Sequence, residues 1–406
     1  MRLRPLTFLP EGDGVVVGCV EADSYAVLPP DGAALLERLS QVPAGVAARW
    51  YEETYGEPVD IEDFIDTIAE LGFLDDVPPD QPVQHAGVLP PARLRWQRLG
   101  ELLFSPFSGI AAVALIAAAA ISMVRDPGLL PHTDHVFFSD YLLLIELTVA
   151  FGQIPLILVH EVCHVLAARR LGVAARIRVS HRMYFVVFET VMDGLVVVPR
   201  NKRYLPMLSG MVADLLIVCA LTVVAAAAST PGGPASPVTG VCLALAFSTL
   251  IRFALEFLLF LRTDIYYLIC TVTGTIDLHT TSSEIVANWW WRLRRRTDRL
   301  RDPVRWHPND VRAARWYTPL HLLGYALAIG LLLVVLLPIS WRFLVTALVQ
   351  LAHPDPTSSH FWDALLLLVL NTAQPAFAGL LWLRERAQRG RRRSPAKTEL
   401  PTAANQ

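Results

Sequence analysis

His160-Glu161-Val162-Cys163-His164 is the stretch of this chain best equipped for chemistry. On a helix, positions i and i+4 share a face, so both imidazoles can point at one metal ion. Glu161 then lies beside that ion, where a carboxylate can take a proton from a coordinated water, as in metallopeptidases. Zinc in a catalytic site takes three protein ligands and keeps one position open for water. A third ligand must therefore come from elsewhere in the chain.

The motif sits within a long apolar stretch, and the whole composition explains why. Hydrophobic residues make up 53% and charged residues 18% of 406, with a mean hydropathy of +0.42. A water-soluble chain carries about 25% charged residues, so this one has too few to cover a soluble surface. Disorder, collagen-like repeats and a disulfide-dense scaffold are excluded on the same grounds. The five cysteines, Cys19, Cys163, Cys219, Cys242 and Cys270, show no paired spacing, and no disulfide is expected. No cleavable signal peptide is expected at the start of the chain. Two His and a Glu within one turn of a membrane helix are expensive, about 2.5–3.5 kcal/mol for a central charge, which argues for a function.

Six apolar stretches approach the ~20 residues of a bilayer-spanning helix: 107–125, 141–168, 205–228, 239–261, 317–338 and 361–383. Arginine-rich segments flank them on alternate sides: Arg93 to Arg98, Arg169 to Arg203, Arg292 to Arg301 and Arg384 to Arg393. The loops around 126–140, 229–238 and 339–360 are nearly free of Lys and Arg. The positive-inside rule then places both termini in the cytosol, in a multi-pass protein of the cytoplasmic membrane. By this topology His160 and His164 lie ~6–14 Å below the cytosolic face. Three carboxylates reach that level: Asp264, Glu256 and Asp214. Asp214 reads as an alternative ligand, as a carboxylate behind a histidine, or as the partner of Arg252.

Ahead of the apolar body, residues 1–76 carry sixteen Asp/Glu and four Lys/Arg, a balance of -12, against +10 for the remainder. Val15–Gly18 and Tyr25–Leu28 read as hairpin strands, Gly32 to Leu39 as a helix, and Ile61 to Leu71 as a second helix with Asp60 as N-cap. Gly72 stands at its stop position. Residues 77–106 follow as a linker, with five prolines between Val77 and Pro91, and a basic lead-in. The segment 176–202 is expected to form a β-hairpin at the membrane face, its strands Tyr184–Phe188 and Leu195–Val198 joined through Met192-Asp193-Gly194. Its edge has to pack on protein or pair with something.

These motifs resemble those of site-2-protease-type intramembrane zinc metallopeptidases, in the branch that matures peptides. The matching residues are His160 to His164 with the Val165–Val173 continuation, Leu208-Ser209-Gly210, and Leu261-Arg262-Thr263-Asp264-Ile265-Tyr266-Tyr267. The resemblance implies Zn2+ as cofactor, His160, His164 and Asp264 as its ligands, and Glu161 as the proton-transferring group. The chain departs from the family at Glu256-Phe257, where an Asn-Pro pair is common, and at Ile265, where Gly follows the Asp. Residues 1–76 resemble the PqqD-like, winged-helix domains that recognise leader peptides.

The expected fold is a polytopic α-helical membrane protein of six transmembrane helices with a small α+β, winged-helix-like cytosolic domain. The protease domain spans 107–383 and a basic tail 384–406. Its expected partners are the lipid bilayer and a peptide or membrane-protein substrate, and no nucleic acid. The resemblance implies maturation of a ribosomally made precursor peptide, with daptide-type precursors within its range. Regulated release of a membrane-bound factor, and a non-catalytic export or immunity protein, are the competing functions. His181, His279, His307 and His321 are expected at loops and span ends, and Trp289-Trp290-Trp291 as an interfacial anchor.

Overall fold

The computed structural model describes residues 3–11, 14–19, 24–74, 94–182, 185–192, 194–229, 236–275, 277–303, 306, 308–352, 355–373 and 384. The Pro-rich linker, the end of the sixth apolar stretch and nearly all of the basic tail lie outside them.

The N-terminal unit opens with three strands, β1 (Thr7–Glu11), β2 (Gly14–Cys19) and β3 (Ser24–Leu28). They form an antiparallel sheet in that order, with Phe8 opposite Val17 and Val16 opposite Val27. Helices α1 (Pro30–Leu39), α2 (Ala44–Tyr55) and α3 (Ile61–Glu70) follow. Asp60 caps α3 by accepting from the amides of Glu62 and Asp63, and Gly72 turns the chain with φ 71°. Val17, Cys19, Ala33, Leu36, Ile68 and Phe73 form the core. Strand β1 and helix α2 were not legible: β1 contains Pro10, and α2 buries only Ala47, so neither shows a periodic apolar face.

In the body, α4 (Gln97–Leu103) leads into α5 (Pro106–Arg125) and α6 (Leu142–Arg170). After the strands β4 (Arg176–Arg182) and β5 (Phe185–Val191) come α7 (Arg200–Ala228), α8 (Pro237–Leu255), α9 (Asp264–Thr273) and α10 (Leu278–Leu293). A last long helix runs through α11 (Pro308–Leu331), a π-helical stretch Leu332–Leu336 and α12 (Leu337–Ala352). Five helices of the described residues are long and apolar enough to cross a membrane: Pro106–Arg125, Leu142–Arg170, Arg200–Ala228, Pro237–Leu255 and Asn309–Ala352. Their outward side chains are apolar, Phe107, Val124 and Val334 being 81%, 82% and 71% exposed, as membrane-facing surface would be.

Two span limits need correction. Five of the six expected stretches carry a candidate span among the described residues, and the sixth, 361–383, is helical as far as 373 and lies outside the described residues beyond that. The fifth continues past 338 to Ala352, through most of the stretch 339–360 expected as a loop. At 44 residues it is about 66 Å long, about twice the hydrocarbon core, so only part of it can span. Pro338 lacks the N–H that would bond back to Val334, and the π-helical stretch falls where that bond is missing. The fourth stretch ends at Leu255, not at 261.

The hairpin is present but its strands are different. Arg176–Arg182 pairs with Phe185–Val191, with Ile177 opposite Thr190, while Leu195–Val197 forms a 3-10 turn. Gly194, at φ 82°, starts that turn, so the Asp-Gly pair does not join two strands. The turn packs against the N-terminal sheet: a Cβ on Gly18 would lie 2.6 Å from Val197 Cγ1. Beside it Arg200 Nε donates to Glu11 Oε1 at 2.8 Å, and Arg203 donates to both Glu11 oxygens and to the carbonyls of Val196 and Val198. Burial pushes the Glu11 carboxyl up, but the hydrogen bonds from Arg203 and Arg200 outweigh it and hold it below its ordinary 4.5.

Candidate metal centre

Helix α6 sets His160 and His164 one turn apart, and their Nε2 atoms lie 3.2 Å from each other. Asp264 opens α9 and brings Oδ2 to 2.9 Å from His164 Nε2 and 3.5 Å from His160 Nε2. Atoms bound to one tetrahedral zinc ion at about 2.0–2.1 Å stand about 3.3 Å apart, close to the sides of this triangle. Both imidazoles are buried, at 6% and 3% exposure. Asp264 Oδ2 is buried without a hydrogen-bond partner, a costly arrangement that a cation resolves. Among the described residues, these three form the one group able to hold a metal ion.

The space for an ion comes from α7. A Cβ on Gly210 would lie 2.2 Å from His164 Nε2 and 2.4 Å from His160 Nε2, about the length of a metal–ligand bond. Glycine leaves open the volume that any larger residue would fill, so the donor set and the cradle both fit a zinc-sized ion.

The far ring nitrogens are also engaged. His164 Nδ1 lies 2.7 Å from the Pro206 carbonyl oxygen, which also accepts from Ser209 Oγ at 2.9 Å. Donation to that oxygen leaves the lone pair on Nε2. His160 Nδ1 faces Asp214 Oδ1 at 3.2 Å, an ion-pair distance without hydrogen-bond alignment. Arg252 grips the same carboxylate with Nε and Nη2, and its Nη1 donates to Gln153 Oε1 at 3.0 Å. Gln153 in turn donates to the Leu245 carbonyl and Thr249 Oγ1. Asp214 is thus both the partner of Arg252 and the carboxylate behind His160, and it faces the nitrogen away from the triad.

Glu256 is half-buried in the turn between α8 and α9. Its carboxylate accepts from the Asp264 amide at 3.0 Å, and its carbonyl accepts from Thr263 Oγ1 at 2.5 Å. These bonds and Arg262, with φ 55°, break the helix so that Asp264 starts a new one beside α6. Glu256 therefore shapes the turn and is not among the converging donors.

Glu161, 8% exposed, accepts from Thr190 Oγ1 through Oε2 at 2.7 Å. Thr190 and the Pro206 carbonyl had no signal in the sequence, since strand threonines and main-chain oxygens are everywhere. Gln153 had one: it lies with Arg252 among apolar residues, where polar groups need partners.

His321 is buried at 3% exposure and stands against His279. The side chain of His181 and all of His307 lie outside the described residues. Trp289 and Trp290 are exposed, with Arg294 over the Trp290 ring at 4.4 Å. All five cysteines are free. No protein-family model, curated protein or solved structure matches the chain, so its function has to be argued from the site's own chemistry.

Proposed function

We propose that the chain is a zinc-dependent intramembrane metalloprotease that removes the leader from a ribosomally made precursor peptide. The observation that carries this reading is the convergence of His160 Nε2, His164 Nε2 and Asp264 Oδ2 on one point, with the Glu161 carboxylate on the residue next to the first ligand. Five apolar helices support the membrane setting, and the alternating arginine-rich segments support cytosolic termini.

His160, His164 and Asp264 would hold the ion. Bound zinc supplies Lewis acidity toward a peptide carbonyl and lowers the pKa of water to about 7. Glu161 takes a proton from the attacking water and delivers it to the nitrogen of the leaving amine. Arg252 and Asp214 keep His160 oriented, and the Pro206 carbonyl does the same for His164. A substrate segment must be extended before its carbonyl can be reached, and a hairpin edge offers strand addition for that purpose. The acidic N-terminal unit, at -12, suits a basic leader, and daptide-type precursors fall within this class.

Elemental analysis and cleavage of neighbouring-gene precursor peptides test the reading on wild type, Glu161→Ala and Asp264→Ala. Wild type should hold one zinc and cut, Glu161→Ala should hold zinc without cutting, and Asp264→Ala should lose the metal. Cleavage confined to a transmembrane protein substrate would replace leader removal with regulated release of a membrane factor. Zinc without Glu161-dependent cleavage would leave a non-catalytic export or immunity protein.

A further inference from the structure

We infer that Thr190 is a positioning residue for the Glu161 carboxylate, and that through it the β4–β5 hairpin belongs to the catalytic machinery. This rests on the protease reading and extends it to a residue outside the motif.

Glu161 follows His160 by one position, about 100° around the helix, so the ligand geometry alone does not aim its carboxylate. Three side-chain torsions separate that carboxylate from the backbone, and a misplacement of about 1 Å can cost 10²-fold in rate. Thr190 Oγ1 lies 2.7 Å from Glu161 Oε2 and 3.1 Å from the main-chain oxygen of the same residue. A hydroxyl has a single proton, and the shorter, charge-assisted bond to the carboxylate claims it. The main-chain oxygen is then a close neighbour that receives no proton, and the hold on Glu161 is the bond to its carboxylate. Among the described residues, no donor reaches Glu161 Oε1, which leaves one oxygen free for proton transfer.

The donor's type and place both suit this task. A neutral hydroxyl holds a carboxylate without pairing its charge, which an Arg or Lys would do. Thr190 is β-branched, with restricted χ1, and sits in β5 opposite Ile177 of β4. The hydroxyl position is therefore set by the hairpin backbone. A hairpin that merely covered the site would need apolar packing on α6 and no donor at the Glu161 carboxylate.

The test compares Thr190→Val and Thr190→Ser with wild type on a precursor peptide that wild type cuts. Thr190→Val should keep one zinc and a KM within about twofold, while kcat falls on the order of 10–10²-fold. Thr190→Ser keeps the hydroxyl and should recover kcat to within about threefold of wild type. Hydrogen exchange across 176–191 should be unchanged in both variants. An unchanged kcat in Thr190→Val, a loss confined to KM, a serine variant as poor as the valine variant, or faster exchange in the hairpin would each overturn the inference in favour of a packing role. Glu161→Ala run in parallel separates the two readings. If it still cuts, or if wild type cuts neither a precursor peptide nor a transmembrane protein, the protease reading fails and takes this inference with it. If it is inactive while Thr190→Val is fully active, only the positioning role is lost.

Discussion

His160 and His164 have ring centroids 4.9 Å apart with an interplanar angle of 65°, and His279 and His321 repeat this at 5.1 Å and 60°. The first pair has Asp264 in front of both Nε2 atoms, Asp214 and the Pro206 carbonyl at the far nitrogens, and the open volume at Gly210. The second pair is set among the rings of Tyr266, Tyr317 and Tyr325, and both its Nδ1 atoms are buried without a partner. Burial pushes His279 below its ordinary 6.5, and the Arg262 charge pushes the same way against Asp277. Equal imidazole spacing therefore coincides with opposite surroundings. The carboxylates and the empty volume, more than the distance between rings, distinguish a metal centre from two core histidines.

The largest expected effect is at the cradle. Gly210→Ala places a carbon at bond length from both Nε2 atoms, so zinc content should fall from one per chain to near zero while circular dichroism still reports the helices. A variant with normal zinc would show that α7 yields, and that the open volume does not set the first pair apart.

Next comes the carboxylate behind His160. Asp214→Asn should weaken zinc binding about 10–100-fold, measured by chelator competition. It also strips Arg252 of its charge partner, and breaking a buried pair costs about 3–5 kcal/mol. Adding Arg252→Met should recover stability without recovering affinity. Recovery of both would mean that Asp214 matters only as the partner of Arg252.

The second pair should respond weakly. His279→Phe with His321→Phe removes two unpartnered nitrogens, so zinc content should stay at one and stability should shift by no more than about 1–2 kcal/mol. A fall from two zinc ions to one on making this change would break the comparison, since both pairs would then be metal sites.

The smallest effect is at the N-terminal contact, which reaches the first pair only, because Arg203 lies one turn before Pro206 on α7. The folded pKa of Glu11 is depressed, so its contribution is fully present above 4.5 and is lost as pH falls through the lower folded value. At neutral pH Glu11→Gln should therefore speed hydrogen exchange over 195–203 and change zinc affinity by less than about threefold. A larger loss of affinity would tie the N-terminal unit tightly to the metal centre.

Much of this architecture is legible in the sequence. Local rules located α3, because Asp60, the apolar spacing of its face and Gly72 all agree. The same rules misplaced the hairpin strands. Met192-Asp193-Gly194 carries turn chemistry, but a positive φ at Gly194 serves a 3-10 turn as well as a hairpin, and only packing against β2 selects the former. The apolar run 317–338 also understates the helix through Asn309–Ala352, which passes Pro338 by way of a π-helical stretch.

The sequence by itself determined what is local: which segments are apolar enough for a membrane, and that His160, Glu161 and His164 share one turn of helix. Such features depend on residues a few positions apart, so spacing is sufficient to find them. The tertiary structure decided which distant groups meet that turn. Asp264 is 100 positions from His164, Asp214 lies on α7, and Thr190 reaches Glu161 from a strand. Residue type and depth left Asp264, Asp214 and Glu256 open together, and only the resemblance of Leu261–Tyr267 pointed to Asp264. Their places at the site are set by the end of helix α8 at Leu255, with the Glu256 carboxylate accepting from the Asp264 amide, and by the packing of α7 against α6 at a glycine.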